Sequence, residues 1–246
     1  MKKIICMILT ITMLLALSIT AFAAENHIGV KVQANSENNI SGEIVLTEQQ
    51  YVEYLASLSE DDLQKIAAKE STSAQYAGNA ATRATGTLIQ VPGTFTMYQQ
   101  ETDNYCIPAT VKSILTYITG SSPTQSEIAG TTGTDPSKIP AYLNDRQDEI
   151  YYVYVKKSDF TQNGMCSKLY STIVTNKMPA SMGISGTKTT NWYYATSGHS
   201  LVVHGIYDDY SYIRIADPLG DRVAGCPYFY SKSASECYNV CTRLVW

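Results

Sequence analysis

One segment, residues 100–115, constrains the fold more than any other part of the chain. It reads QETDNYCIPATVKSIL, and apolar residues follow Cys106 at helical spacing. Pro108 is compatible only with the first turn of such a helix, so Cys106 is predicted to lie at the helix N-terminus. The unpaired N–H groups and the helix dipole there stabilise a thiolate, which is the nucleophilic form of cysteine. The segment therefore predicts a cysteine prepared for covalent catalysis.

A predicted β-hairpin further along the chain carries a histidine and an aspartate. The strand GHSLVVHGI has His199 near its start, and the strand YIRIAD ends at Asp217. Turn residues at 208–211 favour an antiparallel pair. If Ile206 faces Tyr212, His199 and Asp217 become diagonal neighbours within side-chain reach. A slip of one residue in this register would separate them.

The order of these residues resembles the C39-like cysteine peptidases of the papain superfamily. The pattern is Gln100, then the Cys-x-Pro-Ala motif of Cys106, then Gly-His and an apolar strand, then Asp217 before a proline. The resemblance covers roughly residues 90–220. It implies a papain-like α+β fold in which the nucleophile helix packs on an antiparallel sheet. It also implies Cys106 as nucleophile, His199 as general base and acid, and Asp217 as the group that orients the imidazole.

Further residues border the predicted cleft. Gln100 matches the oxyanion-hole glutamine of the family, where it would donate a hydrogen bond together with the Cys106 backbone N–H. Gln99 is the alternative if the loop is one residue tighter. Ile107 departs from the family pattern, which usually has glycine there. The aromatic run Trp192–Tyr194 either packs on the sheet or lines the cleft.

The sequence offers alternatives to His199 and to Asp217. His204 is five residues from His199, so on a regular strand the two histidines face opposite sides of the sheet, and only one can meet Cys106. His204 is predicted to pack under the sheet. Asn191 is an alternative to Asp217 for orienting the histidine, and Asp217 before a proline is also a common turn residue.

The N-terminal residues have the pattern of a secretory signal. Lys2 and Lys3 precede an apolar run that ends at Leu17, and Ala21–Ala23 is a small-x-small cleavage pattern. Residues 1–23 are therefore predicted to be a signal peptide cleaved near Ala23. The apolar run is short for a membrane span, so the mature protein is predicted to be secreted, without stable membrane insertion.

Residues 24–86 are predicted to form a propeptide made of a helical pair and a linker. The stretch Thr47–Gln50 resembles a capping box, and Ser59 is placed to cap a second helix. Residues 71–86 are small and polar, which is typical of an exposed linker. We expect this segment to inhibit its own enzyme, with a non-inhibitory accessory region as the alternative. Residues 87–246 then form the peptidase domain, in which helices precede strands, as in the α+β class.

The number of cysteines supports the prediction that Cys106 is a free thiol. Of six cysteines, Cys6 lies in the predicted signal peptide, and five remain. An odd number in an exported protein indicates one unpaired thiol, which we expect to be Cys106. The other four are predicted to form two disulfides, with three connectivities open: Cys166, Cys226, Cys237 and Cys241. No Cys-x-x-Cys pair is present, so a zinc site is disfavoured, and no metal or organic cofactor is implied.

The predicted function is hydrolysis of peptide bonds in a peptide or protein substrate, through a thioester. The net charge is −4 for the whole chain, which does not support a nucleic-acid-binding surface. Two alternatives stay open. One is an acyl-transfer enzyme of the transglutaminase type on the same scaffold, which would pass the acyl group to an amine. The other is a non-catalytic exported binding module.

Overall fold

Residues 39–77, 86–187 and 190–246 are described by the computed structural model of the chain. The predicted signal peptide, residues 1–23, lies outside these ranges. Residues 37–246 belong to one compact unit. Among the helices of the described ranges, none combines the length and apolar character needed to cross a membrane.

The secondary structure alternates short helices with strands of one sheet. The α-helices are α1 (Glu48–Ala56), α2 (Glu60–Ala77), α3 (Cys106–Thr119), α4 (Gln125–Thr132), α5 (Ile139–Asn144), α6 (Gln162–Tyr170) and α7 (Ala234–Val240). A π-helical turn, Ser171–Thr175, follows α6. The strands are β1 (Asn39–Ser41), β2 (Leu88–Gln90), β3 (Tyr154–Lys156), β4 (Ala180–Ile184), β5 (Ala195–Tyr207), β6 (Tyr212–Ala216), β7 (Phe229–Ser233) and β8 (Cys241–Val245).

The strands form one sheet centred on β5. The main order is β3-β8-β4-β5-β6-β7, and β1 and β2 also pair with β5. The neighbours along this order are antiparallel, whereas β1 runs parallel to the start of β5. Helix α3 packs against β5. This is the predicted α+β arrangement, with the cysteine-bearing helix on an antiparallel sheet.

The residues at both ends of helix α3 explain where the helix begins and ends. Cys106 is its first residue, and Pro108 lies in the first turn, where its missing N–H has no intrahelical partner to lose. The helix ends at Gly120, which has φ 80° and donates its N–H to Thr116 O. A left-handed conformation at this position is favourable only for glycine. The apolar face is buried, including Val111 and Ile114.

The β5–β6 hairpin contains a β-bulge beside His204. Ile206 pairs with Ile213, so the predicted pairing of Ile206 with Tyr212 is wrong by one residue. The register shifts between Val203 and Gly205. A bulge inserts one unpaired residue into one strand and therefore changes the alignment of everything beyond it.

This shift restores the alignment that the site requires. Beyond the bulge, Val202 pairs with Ala216, which is the register predicted for this end of the hairpin. Asp217 follows directly after β6 and thus lies near His199. The predicted neighbourhood of the two side chains is correct, although the register at the turn is not.

Residues 150–155 have the aromatic and β-branched composition of a strand, but β3 covers only Tyr154–Lys156. The Asn144 side chain accepts from Tyr152 N at 2.7 Å and donates to Tyr152 O at 3.0 Å. Because an amide side chain satisfies the backbone of Tyr152, this residue needs no strand partner.

The N-terminal helices dock on the rest of the unit. The predicted capping box is present at Thr47 and Gln50. Helix α2 extends to Ala77, so the residues from 71 to 77 are helical, where the composition predicted a linker. The reason is tertiary packing on α6, since Ser73 Oγ lies 3.1 Å from Ser167 Oγ and Asn163 Nδ2 donates to Ala77 O at 2.7 Å.

A half-buried lysine also joins α2 to the end of the sheet. Lys69 Nζ donates to Tyr151 O at 2.8 Å and to Trp246 O at 2.6 Å. Burial lowers the pKa of Lys69 to about 7. The helical pair is therefore held by specific buried contacts, in addition to apolar packing.

His204 is a packed histidine, in agreement with the sequence analysis. Its ring stacks on Phe95 at 5.2 Å and meets the ring of Phe229 at 5.4 Å. Burial, with a smaller contribution from Arg214, lowers the pKa of His204 from 6.5 to about 4. The folded protein therefore holds this ring neutral where an unfolded chain would protonate it.

We predict that His204 makes the protein less stable as the pH falls from 6.5 to about 4. In this window the unfolded state binds the proton and the folded state does not, so stability is lost on acidification, by about 1–3 kcal/mol. Urea unfolding across this range measures the loss. In His204→Gln the slope in this window should flatten, although the variant is less stable overall. An unchanged slope would contradict the assignment.

Candidate active site

Cys106 lies at the positive end of α3. It is the first residue of the helix and is 0 % exposed. Tyr105, at the N-cap position, makes no side-chain hydrogen bond to the helix end. The partial positive charge of the helix N-terminus is thus left to act on the sulfur.

His199 lies between Asp217 and the Cys106 side chain. Its Nε2 is 3.0 Å from Asp217 Oδ1, and both side chains are 0 % exposed. Its Nδ1 has no nitrogen or oxygen partner among the described residues, and the ring interacts with the Cys106 side chain. Burial alone would lower the pKa of His199, but Asp217 and Cys106 outweigh it and raise the pKa to about 10. These two neighbours therefore favour the protonated form of the histidine.

Asp217 is surrounded by hydrogen-bond donors. Tyr194 and Tyr230 donate their hydroxyls to Oδ2 at 2.6 and 2.7 Å. The Leu219 backbone N–H donates to Oδ1 at 2.9 Å. Burial alone would raise the pKa of Asp217, but His199 and the tyrosine hydroxyls hold it below its usual value. The carboxylate stays ionised although water does not reach it.

The two tyrosines are site residues that sequence reasoning missed. Tyr230 lies on β7, opposite Ile215 of β6. Tyr194 belongs to the aromatic run considered for the cleft, and its ring also meets the His199 ring edge-on at 5.4 Å. A tyrosine near a strand end is a weak signal by itself, because packing on a sheet explains most such residues.

Gln100 is buried next to the loop that precedes Cys106. It is 1 % exposed, and its Nε2 donates to Thr102 O at 2.9 Å and to Asp103 O at 3.1 Å. Gln99 is exposed and donates to Gly220 O. The structure thus places Gln100, and not Gln99, inside the protein.

Asn191 does not approach the histidine as Asp217 does. It is exposed, and its backbone carbonyl accepts a hydrogen bond from Lys232. Asp217 is the carboxylate that contacts His199.

The predicted pair of disulfides is wrong for this structure. Cys106, Cys166, Cys226, Cys237 and Cys241 are all free and buried. The Cys226 thiol lies 3.7 Å from Asp217 Oδ2. Buried thiols of this kind pack as small apolar groups.

The N-terminal segment crosses the site beside Cys106. Strand β1 pairs with the start of β5, and both Gly42 N and Glu43 N donate to Gly198 O, at 2.9 and 3.2 Å. A Cβ at Gly42 would lie 2.8 Å from Cys106 Sγ. It would also lie 3.1 Å from the Cα atom of Asn104. Gly42 therefore covers the thiol, and only a residue without a side chain fits there.

A family model described as "Peptidase_C39 like family" matches residues 93–242. The chain belongs to this family. It is accordingly a cysteine-type peptidase, as the sequence resemblance implied, and the matched range contains the cysteine, the histidine and the aspartate described above. Among curated proteins, no sequence matches this chain.

Two solved structures are similar to this C39-like peptidase. One is xylellain, a cysteine protease from Xylella fastidiosa, with 11 % identity and a TM-score of 0.49, covering 87 % of this chain and 98 % of xylellain. The other is a recombinant stem bromelain precursor, with 12 % identity and a TM-score of 0.33, covering 81 % of this chain and 96 % of that one.

We predict that Tyr230→Phe weakens the pH dependence of stability of this peptidase. The low pKa of folded Asp217 contributes stability above the unfolded pKa, and this stability is lost as the pH falls through the folded pKa. Removing one hydroxyl raises that pKa, so the difference in unfolding free energy between neutral and acidic pH should shrink by about 1–2 kcal/mol.

Tyr238→Phe is the matched control. The Tyr238 hydroxyl donates to the neutral Phe160 carbonyl at 3.2 Å, so its loss should shift stability equally at both pH values. Urea unfolding at the two pH values measures the difference for each variant. An identical pH dependence in wild type and Tyr230→Phe would contradict the role assigned to the hydroxyl.

Proposed function

We propose that the chain is an exported cysteine peptidase, made as a zymogen, that hydrolyses peptide bonds with Cys106, His199 and Asp217. The observation that carries the proposal is the position of His199, which lies between a buried carboxylate and the cysteine at a helix N-terminus. This order of nucleophile, base and orienting group is what thiol-dependent acyl transfer requires.

The proposed reaction starts from the thiolate and imidazolium. The sulfur of Cys106 attacks the substrate carbonyl, and a C–S bond forms. His199 gives its Nδ1 proton to the leaving amine as the C–N bond breaks, which leaves a thioester. His199 then takes a proton from water, the hydroxide attacks the thioester, and the C–S bond breaks to release the acid. Asp217 keeps Nε2 protonated and the ring oriented throughout.

Gln100 is proposed to stabilise the oxyanion together with the Cys106 backbone N–H. In the structure its Nε2 donates to the carbonyls of Thr102 and Asp103. Both residues lie in the loop that leads to Cys106, so the amide is close to the required place. The proposed role requires the amide to turn from at least one of these carbonyls toward the substrate oxygen.

The zymogen part of the proposal is supported by the path of the N-terminal segment. Gly42 covers Cys106, and the backbone around it pairs with β5. Helices α1 and α2 follow directly along the chain, and α2 packs on α6. A segment tethered in this way excludes a substrate from the thiol until the segment is released. Cutting between α2 and β2, where Arg83 lies, would permit that release.

We predict that Cys106→Ala and His199→Ala each abolish peptidase activity, whereas His204→Gln retains it. Gln100→Ala should reduce kcat/KM by about 2–4 kcal/mol in transition-state free energy. Hydrolysis of a fluorogenic peptide by released enzyme measures these effects, and circular dichroism confirms folding. A folded His199→Ala enzyme with unchanged activity would overturn the mechanism.

The products separate hydrolysis from acyl transfer. With an added primary amine, a hydrolase gives mainly the free acid, and an acyl-transfer enzyme gives the amide. Mass spectrometry of the products distinguishes the two. A folded chain with an alkylatable Cys106 and neither product would instead favour the binding-module alternative.

We predict that Gly42→Val activates the uncut chain. The new side chain would overlap Cys106 Sγ and press on the backbone of Asp103 and Asn104. Because overpacking costs about 1–3 kcal/mol, the segment should leave the cleft more often. Peptide hydrolysis by the uncut chain should then rise by roughly tenfold.

Gly130→Ala is the matched control, because a Cβ at Gly130 meets no atom within 4 Å. Its activity should equal that of the uncut wild type. Cys106 alkylation should accelerate in Gly42→Val in parallel with the activity. Equal rates in wild type and Gly42→Val, with both chains uncut and folded, would rule out inhibition by this segment.

A further inference from the structure

A buried arginine close to the site has no part in the chemistry proposed above. Arg243 on β8 is 1 % exposed. It pairs with Gly183 on β4, which in turn pairs with Ser200 on β5, the residue after His199. A buried charge is costly unless an anion and hydrogen-bonding groups surround it. The groups around Arg243 therefore indicate what this position binds.

These groups form a receptor for a carboxylate. Arg243 donates from Nη1 to Ser181 Oγ at 2.7 Å and from Nη2 to Ser200 Oγ at 2.8 Å. Its Nε donates to Glu43 Oε1 at 3.0 Å, and its Nη2 also contacts Glu43 Oε2. Two parallel contacts between a guanidinium and a carboxylate recognise the shape of the anion as well as its charge.

The missing side chain of Gly183 makes room for this anion. A Cβ there would lie 2.3 Å from Glu43 Oε1 and 2.9 Å from Arg243 Nε. Thr242 Oγ1 lies 2.7 Å from the same Cβ position and is buried without a hydrogen-bond partner among the described residues. The pocket therefore contains one hydroxyl, that of Thr242, with which Glu43 makes no hydrogen bond.

Along the N-terminal segment, the residue that fills this pocket is next to the residue that covers Cys106. Glu43 is the next residue after Gly42, which covers Cys106 Sγ. Both backbone N–H groups donate to Gly198 O, next to His199. A substrate that takes the place of this segment therefore brings a side chain to Arg243 within a residue or two of its reacting carbonyl.

We propose that, once the N-terminal segment has left, the pocket of Arg243, Ser181, Ser200 and Gly183 selects an acidic side chain of the substrate close to the scissile bond. This inference rests on the proposed peptidase function and adds the class of substrate. Glu43 is then the protein's own copy of the preferred side chain.

Glutamate is the residue that this pocket fits best. Both carboxylate oxygens of Glu43 contact the Nε–Nη2 edge of the guanidinium, and aspartate is shorter by one methylene. Glutamine has the same shape but leaves the buried guanidinium without a counter-charge. A site that is built around a charge rejects the neutral analogue strongly. Glutamate and glutamine at one position therefore form the decisive comparison.

The test uses the full chain with two substitutions: Gly42→Val, which should open the cleft, and Glu43→Gln, which removes the internal carboxylate from the pocket. Short internally quenched peptides carry a single glutamate that is moved stepwise along the sequence, with glutamine at the same place as the matched peptide. At one position, glutamate should raise kcat/KM over glutamine by at least roughly tenfold. Adding Arg243→Gln to the same chain should bring this ratio close to one. Thermal unfolding checks that each variant is folded.

Arg146→Gln in the chain with both substitutions is the control for removing a positive charge. Arg146 lies on the exposed side of the Tyr142 ring, away from the pocket, so the ratio should stay as it is. If Arg243→Gln does not fold, the ratio of the glutamate to the glutamine peptide in the chain without this substitution still tests the inference. A ratio near one at every position overturns the inference.

A second readout separates this inference from the proposed function. The same peptides should slow alkylation of Cys106 in the chain with Gly42→Val and Glu43→Gln, and the glutamate peptide should protect at lower concentration than its glutamine partner. If the peptides protect Cys106 and none is cleaved, the peptidase proposal fails, and the protection ratio alone decides on the acidic pocket. Equal protection by both peptides then rejects it.

Discussion

The buried carboxylate of Asp217 is the constraint on which the site depends. An ionised group at 0 % exposure needs a complete set of partners. His199 on β5, Tyr194 before it, Tyr230 on β7 and the Leu219 backbone supply them. Two of these donors lie on different strands, and two lie in segments next to the strands. The carboxylate is satisfied only if β5, β6 and β7 are packed in this arrangement. The charge that contacts the histidine therefore also holds the sheet edge together.

Much of this site was predictable because its parts are local. Helical spacing and Pro108 placed Cys106 at a helix start, and the alternating strands placed His199 near Asp217. The strand register was harder to predict. The bulge beside His204 shifts the pairing by one residue between the turn and the end of the hairpin near Asp217. A sequence does not reveal such a bulge, since the extra residue is accommodated by neighbouring strands and by packing.

What could not be predicted depends on distant contacts. Strand β1 has three residues and pairs with a strand far along the chain, so its own pattern carries little information. The helical extent of residues 71–77 depends on packing against α6, which overrides their linker-like composition. The disulfide prediction failed because counting cysteines takes no account of where they lie, and Cys226 lies beside Asp217.

The contacts that fasten the N-terminal segment differ in how they respond to ionic strength. Lys156 and Glu48 form an ion pair in which the glutamate is 76 % exposed, so dissolved ions screen it. Glu43 and Arg243 are each 1 % exposed, and ions do not enter between them. Salinity should therefore loosen the outer attachment of the helical pair and leave the part nearest the thiol in place. Under the proposed zymogen function, release of this segment would then depend on cleavage of the chain and not on the salt content of its surroundings.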